Sequence, residues 1–171
     1  MIHIKDNVFH LNTQNTSYIF AVTPHGDLQH LYYGQKITPQ KDYGAFIEKR
    51  SMLLVSALYP ENDIAYGIDA MQFEYSALGG GDRRENACAV NCGETLCSFT
   101  YDRYIKLKNA PIRSDFAQAH SSDGCLCIVM KDKQAKAELR LYYQLFNDCD
   151  VITRYSEIKA NENALTIDGL M

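Results

Sequence analysis

"AELRLYYQLF", residues 137–146, alternates without a break. Ala137, Leu139, Leu141, Tyr143 and Leu145 fall on one side of an extended chain, with Glu138, Arg140, Tyr142 and Gln144 on the other. Successive side chains of a strand point to opposite faces, so this stretch reads as a half-buried antiparallel strand. After the polar "NDCD", the stretch "VITRYSEIKAN" (151–161) alternates again, with Val151, Thr153 and Tyr155 opposite Ile152, Arg154 and Ser156. Two such runs joined by a short polar turn predict a hairpin.

Outward from the hairpin, further strands are predicted at "VFHLN" (8–12), "SYIFAVT" (17–23), "LQHLYYG" (28–34), "QFEYSA" (72–77), "ACAVN" (87–91), "SFTYDRYIKL" (98–107), "CLCIVMKD" (125–132) and "ALTIDG" (164–169). Turn chemistry separates them: "TPHGD", "NCGET", "KNAPIRSD", "SSDGC" and "NEN" supply Gly, Pro, Asn and Asp where the chain must reverse. Many short strands with polar turns predict an all-β antiparallel sandwich or barrel. With 171 residues and no linker or repeat, one domain is expected over 1–171. Twelve tyrosines and no tryptophan, with Tyr142 on an outer strand face, suggest a sheet face covered by a partner.

One stretch departs from the strand pattern. Lys36–Asp69 has weak strand signals and a predicted short helix near Tyr43–Arg50, and it is longer than an ordinary connection. Such a length suits either an interface-forming loop on a rigid sheet or a surface insertion.

A net charge of −4 without a basic or acidic run gives no footing for nucleic acid or a membrane surface. No apolar run approaches the roughly 18 residues of a membrane span, and "MIHIKDNVFH" lacks a basic leader and an apolar signal core, so a cytoplasmic protein is expected. Cys88, Cys92, Cys97, Cys125, Cys127 and Cys149 read as thiols, because a chain with a real core does not depend on disulfide staples. Cys88 and Cys92 approach a zinc-ligand spacing, but Cys125 and Cys127 share a strand face without the turn a tetrahedral site uses, so no metal and no cofactor are expected.

"EYSALGGGDRRE" (74–85) raises the question of a phosphate loop. That loop needs Gly-x-x-x-x-Gly-Lys-Ser/Thr opening a helix; here Gly79, Gly80 and Gly81 run into Asp82 and then an apolar strand. The reading is a turn, with Glu74–Arg84 or Asp82–Arg83 ion pairs fixing it. Ser56, Ser76 and Ser98 lie outside a Gly-x-Ser-x-Gly elbow, and His3, His10, His25, His30 and His120 are scattered, so no catalytic residue is nominated.

Several segments in order, "TSYIFAVTPHGDLQHLYYGQKI" (16–37), "FEYSALGGGDRRENACAV" (73–90), "YDRYIKLKNAP" (101–111) and "LRLYYQLFNDCDVITRYSEIKAN" (139–161), resemble the N-terminal domain of glycoside hydrolase family 36 α-galactosidases. In that family the segment corresponding to "EYSALGGGDRRE" looks like Glu-Tyr-Pro, a Gly-rich turn, Asp, an aromatic and Arg. Glu74, Tyr75, Gly79, Gly81, Asp82 and Arg84 keep the frame, with Ser76 in place of the proline and Arg83 in place of the aromatic.

The resemblance implies an antiparallel β-supersandwich of the galactose mutarotase type, in which the glycines form a structural turn at positive φ anchored by Asp82 and Arg84. It also implies a parent enzyme whose (β/α)₈ barrel, absent from this sequence, carries the catalytic aspartates that hydrolyse terminal α-galactosides of the melibiose and raffinose type. The chain itself is then a non-catalytic domain packed on that barrel. Family members resemble tetramers in which N-terminal-domain loops approach a neighbour's active-site mouth, which nominates Glu48, Arg50, Asp63 and Tyr66 as substrate-adjacent or interface residues. Ending at "DGLM" within a predicted strand, the sequence reads as a piece of that longer chain. Two other expectations stand beside this one: a carbohydrate-binding module using Tyr32, Tyr33, Tyr142 and Tyr143 as a sugar platform, and a mutarotase, which would use a histidine pair and a carboxylate in a cleft.

Overall fold

The computed structural model describes residues 1–47, 59, 66–68, 71–113, 117–118 and 122–170. Among them run β1 (Ile2–Lys5), β2 (Val8–Asn12), β3 (Thr16–Val22), β4 (Leu28–Gln35), β5 (Cys88–Cys92), β6 (Thr95–Leu96), β7 (Thr100–Leu107), β8 (Gly124–Asp132), β9 (Ala137–Phe146), β10 (Val151–Ala160) and β11 (Thr166–Leu170). Three sheets result, ordered β1-β2-β3-β4, β10-β9-β8-β7 and β11-β5-β6. Each strand pairing is antiparallel.

The alternation in β9 sets the second sheet. Leu141 pairs with Ile128 of β8 and Ser156 of β10, and Tyr143 with Leu126 and Arg154. Between β8 and β9 the Asp132 carboxylate accepts the backbone N–H groups of Gln134 and Ala135, both at 2.8 Å, and of Ser98 at 2.7 Å. A side chain thus supplies the acceptor for a turn that the strands leave open.

β2, β3 and β4 face β8 and β9 across one core, which holds Phe9, Leu11, Phe20, Leu28, Leu126, Ile128, Leu139, Leu141, Tyr143 and Leu145, each without exposed surface. Burial of such a side chain contributes about 1.5–3 kcal/mol, so this layer is the main source of stability. Phe20 stacks on Phe9 within its own sheet at 4.9 Å and on Tyr143 of the facing sheet at 5.0 Å. At one end Asp150, in the β9–β10 turn, accepts hydrogen bonds from Thr13 and Asn15 in the β2–β3 turn at 2.7 Å.

The sequence expectation differs from the structure in four places. β9 is not half-buried: Tyr142, Gln144 and Glu138 of its outer face are buried too. Their cover comes from the chain itself, as Tyr155 stacks on Tyr142 at 4.7 Å and Ala110 packs with Cys125, Cys127 and Val129. "QFEYSA" forms no strand: its ladder pairing is limited to the isolated bridges Gln29–Phe73 and Ala77–Cys88, and Glu74 turns inward between them. β1 and β6 escape the sequence pattern, being only four and two residues long. Of the helix expected near Tyr43–Arg50, the described part is a 3₁₀ turn at Gly44–Phe46; residues 48–50 lie outside the described residues.

Candidate functional site

Glu74 is the most heavily bonded carboxylate among the described residues. Its side chain is 1% exposed, a position that a charge holds only when paired and hydrogen-bonded. Oε1 accepts from the Tyr18 hydroxyl (2.6 Å), the Tyr143 hydroxyl (3.0 Å) and the Arg154 guanidinium (2.7 Å), and Oε2 accepts from His30 Nδ1 at 3.2 Å. Arg154 also donates to the Glu74 carbonyl at 2.9 Å, while the Glu74 N–H bonds to Leu28 O at 2.8 Å. Burial alone would raise the carboxyl, but His30, Tyr18, Arg154 and Tyr143 together hold it below its ordinary value. Burial and the same carboxylate push the Tyr18 and Tyr143 phenols up, so both stay protonated donors.

Over this group lies a cleft of about 300 Å³ lined by Tyr18, Tyr33, Tyr143, Ile152 and Arg154. These side chains come from β3, β4, β9 and β10, and β4 and β10 end their sheets, so the cleft lies where the two layers part. Tyr33 stands on the rim at 61% exposure, its ring 5.7 Å from that of Tyr18. Arg154 is 44% exposed on its side chain and lines the cleft while it binds Glu74.

The glycine stretch is a 3₁₀ turn at Leu78–Gly80, ended by Gly81 at φ +92°. That backbone region strains a side-chain-bearing residue. Gly79 answers to a different constraint: an added Cβ would lie 2.2 Å from the Cys97 carbonyl oxygen. Asp82 and Arg84 close the turn, Arg84 Nε bonding Oδ1 at 2.9 Å and Nη2 bonding Oδ2 at 3.1 Å. Arg84 extends to the carbonyls of Met71 (3.0 Å) and Ile68 (3.2 Å), tying the turn to the end of the long loop. Burial would raise the Asp82 carboxyl, but bonds from Arg84 and Ser76 keep it low. Arg84 binds Asp82, the anchoring that the resemblance implies, rather than Glu74, whose cation is Arg154 from β10, 80 residues away. The turn and Glu74 are therefore two sites.

Of the loop residues singled out, Glu48, Arg50 and Asp63 lie outside the described residues. Tyr66 is buried, with its ring edge-on to His25 at 6.0 Å; His25 also stacks on Tyr59 at 4.0 Å, and the Tyr59 hydroxyl donates to Asp27. The loop's first residues are fastened beneath by fully buried His10. Its Nε2 meets Ser17 Oγ at 2.9 Å and its Nδ1 meets the Tyr43 hydroxyl at 2.8 Å. Ser17 donates onward to Asn12 Oδ1 at 2.7 Å, which makes Nε2 the protonated nitrogen and Nδ1 the acceptor. Burial holds His10 at about 4.

The proposed tyrosine platform does not assemble, since Tyr142 and Tyr143 are buried on opposite faces of β9 at 2% and 0% exposure. Cys88, Cys97, Cys125 and Cys127 are buried core thiols, those of Cys125 and Cys127 pushed up by burial to about 12 and about 11. The sequence offered one overlooked signal for the Glu74 site: Arg154 falls in register with Ile152, Ser156 and Ile158, so a cation stands on the core-facing side of a strand and demands a buried acid.

Residues 26–171 match the glycosyl hydrolase family 36 N-terminal domain. The bifunctional alpha-galactosidase/sucrose kinase AgaSK of Mediterraneibacter gnavus is 32% identical over 158 residues, covering 89% of this chain and 17% of its own length. Alpha-galactosidase 1 of Pediococcus pentosaceus is 29% identical over 160 residues, with 90% and 22% covered. The solved galactosidase domain of AgaSK superposes with a TM-score of 0.86 at 30% identity, covering 99% of this chain and 25% of that one. The alpha-galactosidase structure from Lactobacillus brevis gives 0.85 at 26% identity, covering 98% and 24%. The chain thus spans about a fifth of the length of the curated relatives it matches. With its antiparallel β-supersandwich and this match over most of its residues, the chain belongs to the N-terminal domain family of glycosyl hydrolase family 36.

Proposed function

We propose that this chain is a single, non-catalytic β-supersandwich domain of a retaining α-galactosidase that packs on a catalytic (β/α)₈ barrel and supports assembly of a homo-oligomer, a tetramer as the family resemblance implies. The observation that carries this reading is the family match over residues 26–171 in a chain spanning only 17–22% of two α-galactosidase relatives. The chemistry of the described carboxylates agrees with it. Glu74 is saturated with donors, and Asp82 and Asp132 are committed to turns. A general acid or nucleophile needs a carboxylate with access to substrate, and none of these three has it. The parent enzyme then takes terminal α-galactosides such as melibiose and raffinose. The Lys36–Asp69 loop, fastened by His10 at one end and by Arg84 at the other, is the element offered to a neighbouring subunit. We place the protein in the cytoplasm, where its four buried thiols stay reduced.

Hydrolysis of p-nitrophenyl α-galactoside tests the reading. The 171-residue chain should show no turnover, whereas the protein made from the whole reading frame that contains it should be active and should elute as an oligomer by light scattering. Turnover by the purified 171-residue chain, or a monomeric active parent, would overturn the respective half of the proposal.

A further inference from the structure

We propose that the cleft between β4 and β10 is a binding site for one neutral pyranose ring. The inference rests on the cleft's own chemistry and is independent of the scaffolding role. Its volume of about 300 Å³ sits at the lower end of small-ligand pockets, enough for a single sugar ring.

The cleft's surfaces divide as a sugar's do. Ile152 and the rings of Tyr18 and Tyr33 supply apolar area for the C–H face of a pyranose, with fully buried Tyr143 behind them. Arg154 spends Nη1 on Glu74 and also bonds the Tyr18 hydroxyl, but a guanidinium carries five N–H groups and this side chain is 44% exposed, so it keeps donors for hydroxyl oxygens. The Tyr18 hydroxyl donates to Glu74 Oε1, which orients it and leaves an oxygen lone pair to accept from a sugar O–H group. A polyol, which donates and accepts around one ring, can satisfy both sets together.

Charge argues for a neutral ligand. The Glu74 carboxylate lies 2.7 Å from Arg154 and cancels its charge, so an entering anion would face a carboxylate as well as a guanidinium. It also argues for binding rather than acid–base catalysis, because Glu74 is inaccessible and held ionised by four donors.

The test is saturation-transfer NMR and titration calorimetry on the 171-residue chain with D-galactose. D-glucuronate, a pyranose of equal ring size that carries a charge, serves as the comparison. Galactose should bind saturably and more tightly than glucuronate, with Tyr33→Ala and Arg154→Met each weakening it about tenfold, the loss expected for one stacking face or one charged hydrogen bond. Tyr33 is 61% exposed, so its replacement leaves the fold intact and carries the test even if Arg154→Met perturbs the core. Absence of saturable galactose binding, the outcome if a polypeptide segment rather than a sugar is the occupant, would overturn the proposal. So would tighter binding of glucuronate, or galactose binding unchanged in Tyr33→Ala.

Discussion

Replacement of Glu74 by Gln keeps the shape of a carboxylate that four side chains bond and removes only its charge. Three donors still find the amide oxygen, but Arg154 loses its counter-ion and the amide N–H₂ turns toward His30, 3.2 Å from Oε2 in the native protein. Breaking one side of a buried ion pair is worth about 3–5 kcal/mol, and Arg154 regains some water through its exposed atoms, so a loss of about 3 kcal/mol is expected. For a chain of this length that is a fall of roughly 6–12 °C in Tm.

The effect also has a pH signature. Folding holds Glu74 below its ordinary value of 4.5, so its ionised form stabilises the fold fully above that pH, and the contribution fades as pH falls through the depressed folded value. Urea denaturation followed by circular dichroism, at neutral pH and again at about pH 3.5, reads both quantities: the gap between native protein and Glu74→Gln should narrow in acid. A gap under about 1 kcal/mol at neutral pH, or one that stays constant into acid, would refute the assignment of Glu74 as an ionised, paired carboxylate.

Two further outcomes follow from the geometry. Gly79→Ala should lose about 3 kcal/mol or more, because its Cβ would fall 2.2 Å from a backbone oxygen that cannot swing away; a variant as stable as the native protein by urea titration contradicts that approach. His10 should keep the NMR shifts of a neutral imidazole from neutral pH down to about 4, since protonating Nδ1 sets a donor against the Tyr43 hydroxyl; a titration near the ordinary 6.5 would show the buried network to be misread.

How much of this could be read from the sequence depends on the range of the interaction. The β9–β10 hairpin was legible because its pattern is local: period-2 alternation on both sides of "NDCD" fixed strands and turn and set Ile152, Arg154 and Ser156 opposite Val151, Thr153 and Tyr155, though not which set faces inward. The all-β class followed from the same signal repeated. Glu74 was legible only as part of a turn, since its donors Tyr18, His30, Tyr143 and Arg154 lie 56, 44, 69 and 80 residues away and no local pattern records them. "QFEYSA" misleads for the same reason: it alternates like a strand, but satisfying a buried carboxylate outweighs adding one more ladder. The outer face of β9 looked solvated or partnered because the residues that cover it, Ala110 and Tyr155, belong to other segments.

The alternation along β10 makes Glu74 a judge of strand register. Arg154 points to the sandwich interior and Tyr155 to the outer face, where it stacks on Tyr142. Slipping β10 by one residue against β9 would exchange them, setting a guanidinium among Cys125, Cys127 and Tyr142 and leaving Glu74 in the interior without its cation. An apolar hairpin would tolerate such a slip at little loss. Here the wrong pairing strands two charges at once, so the carboxylate selects one alignment out of many that hydrophobicity alone would accept.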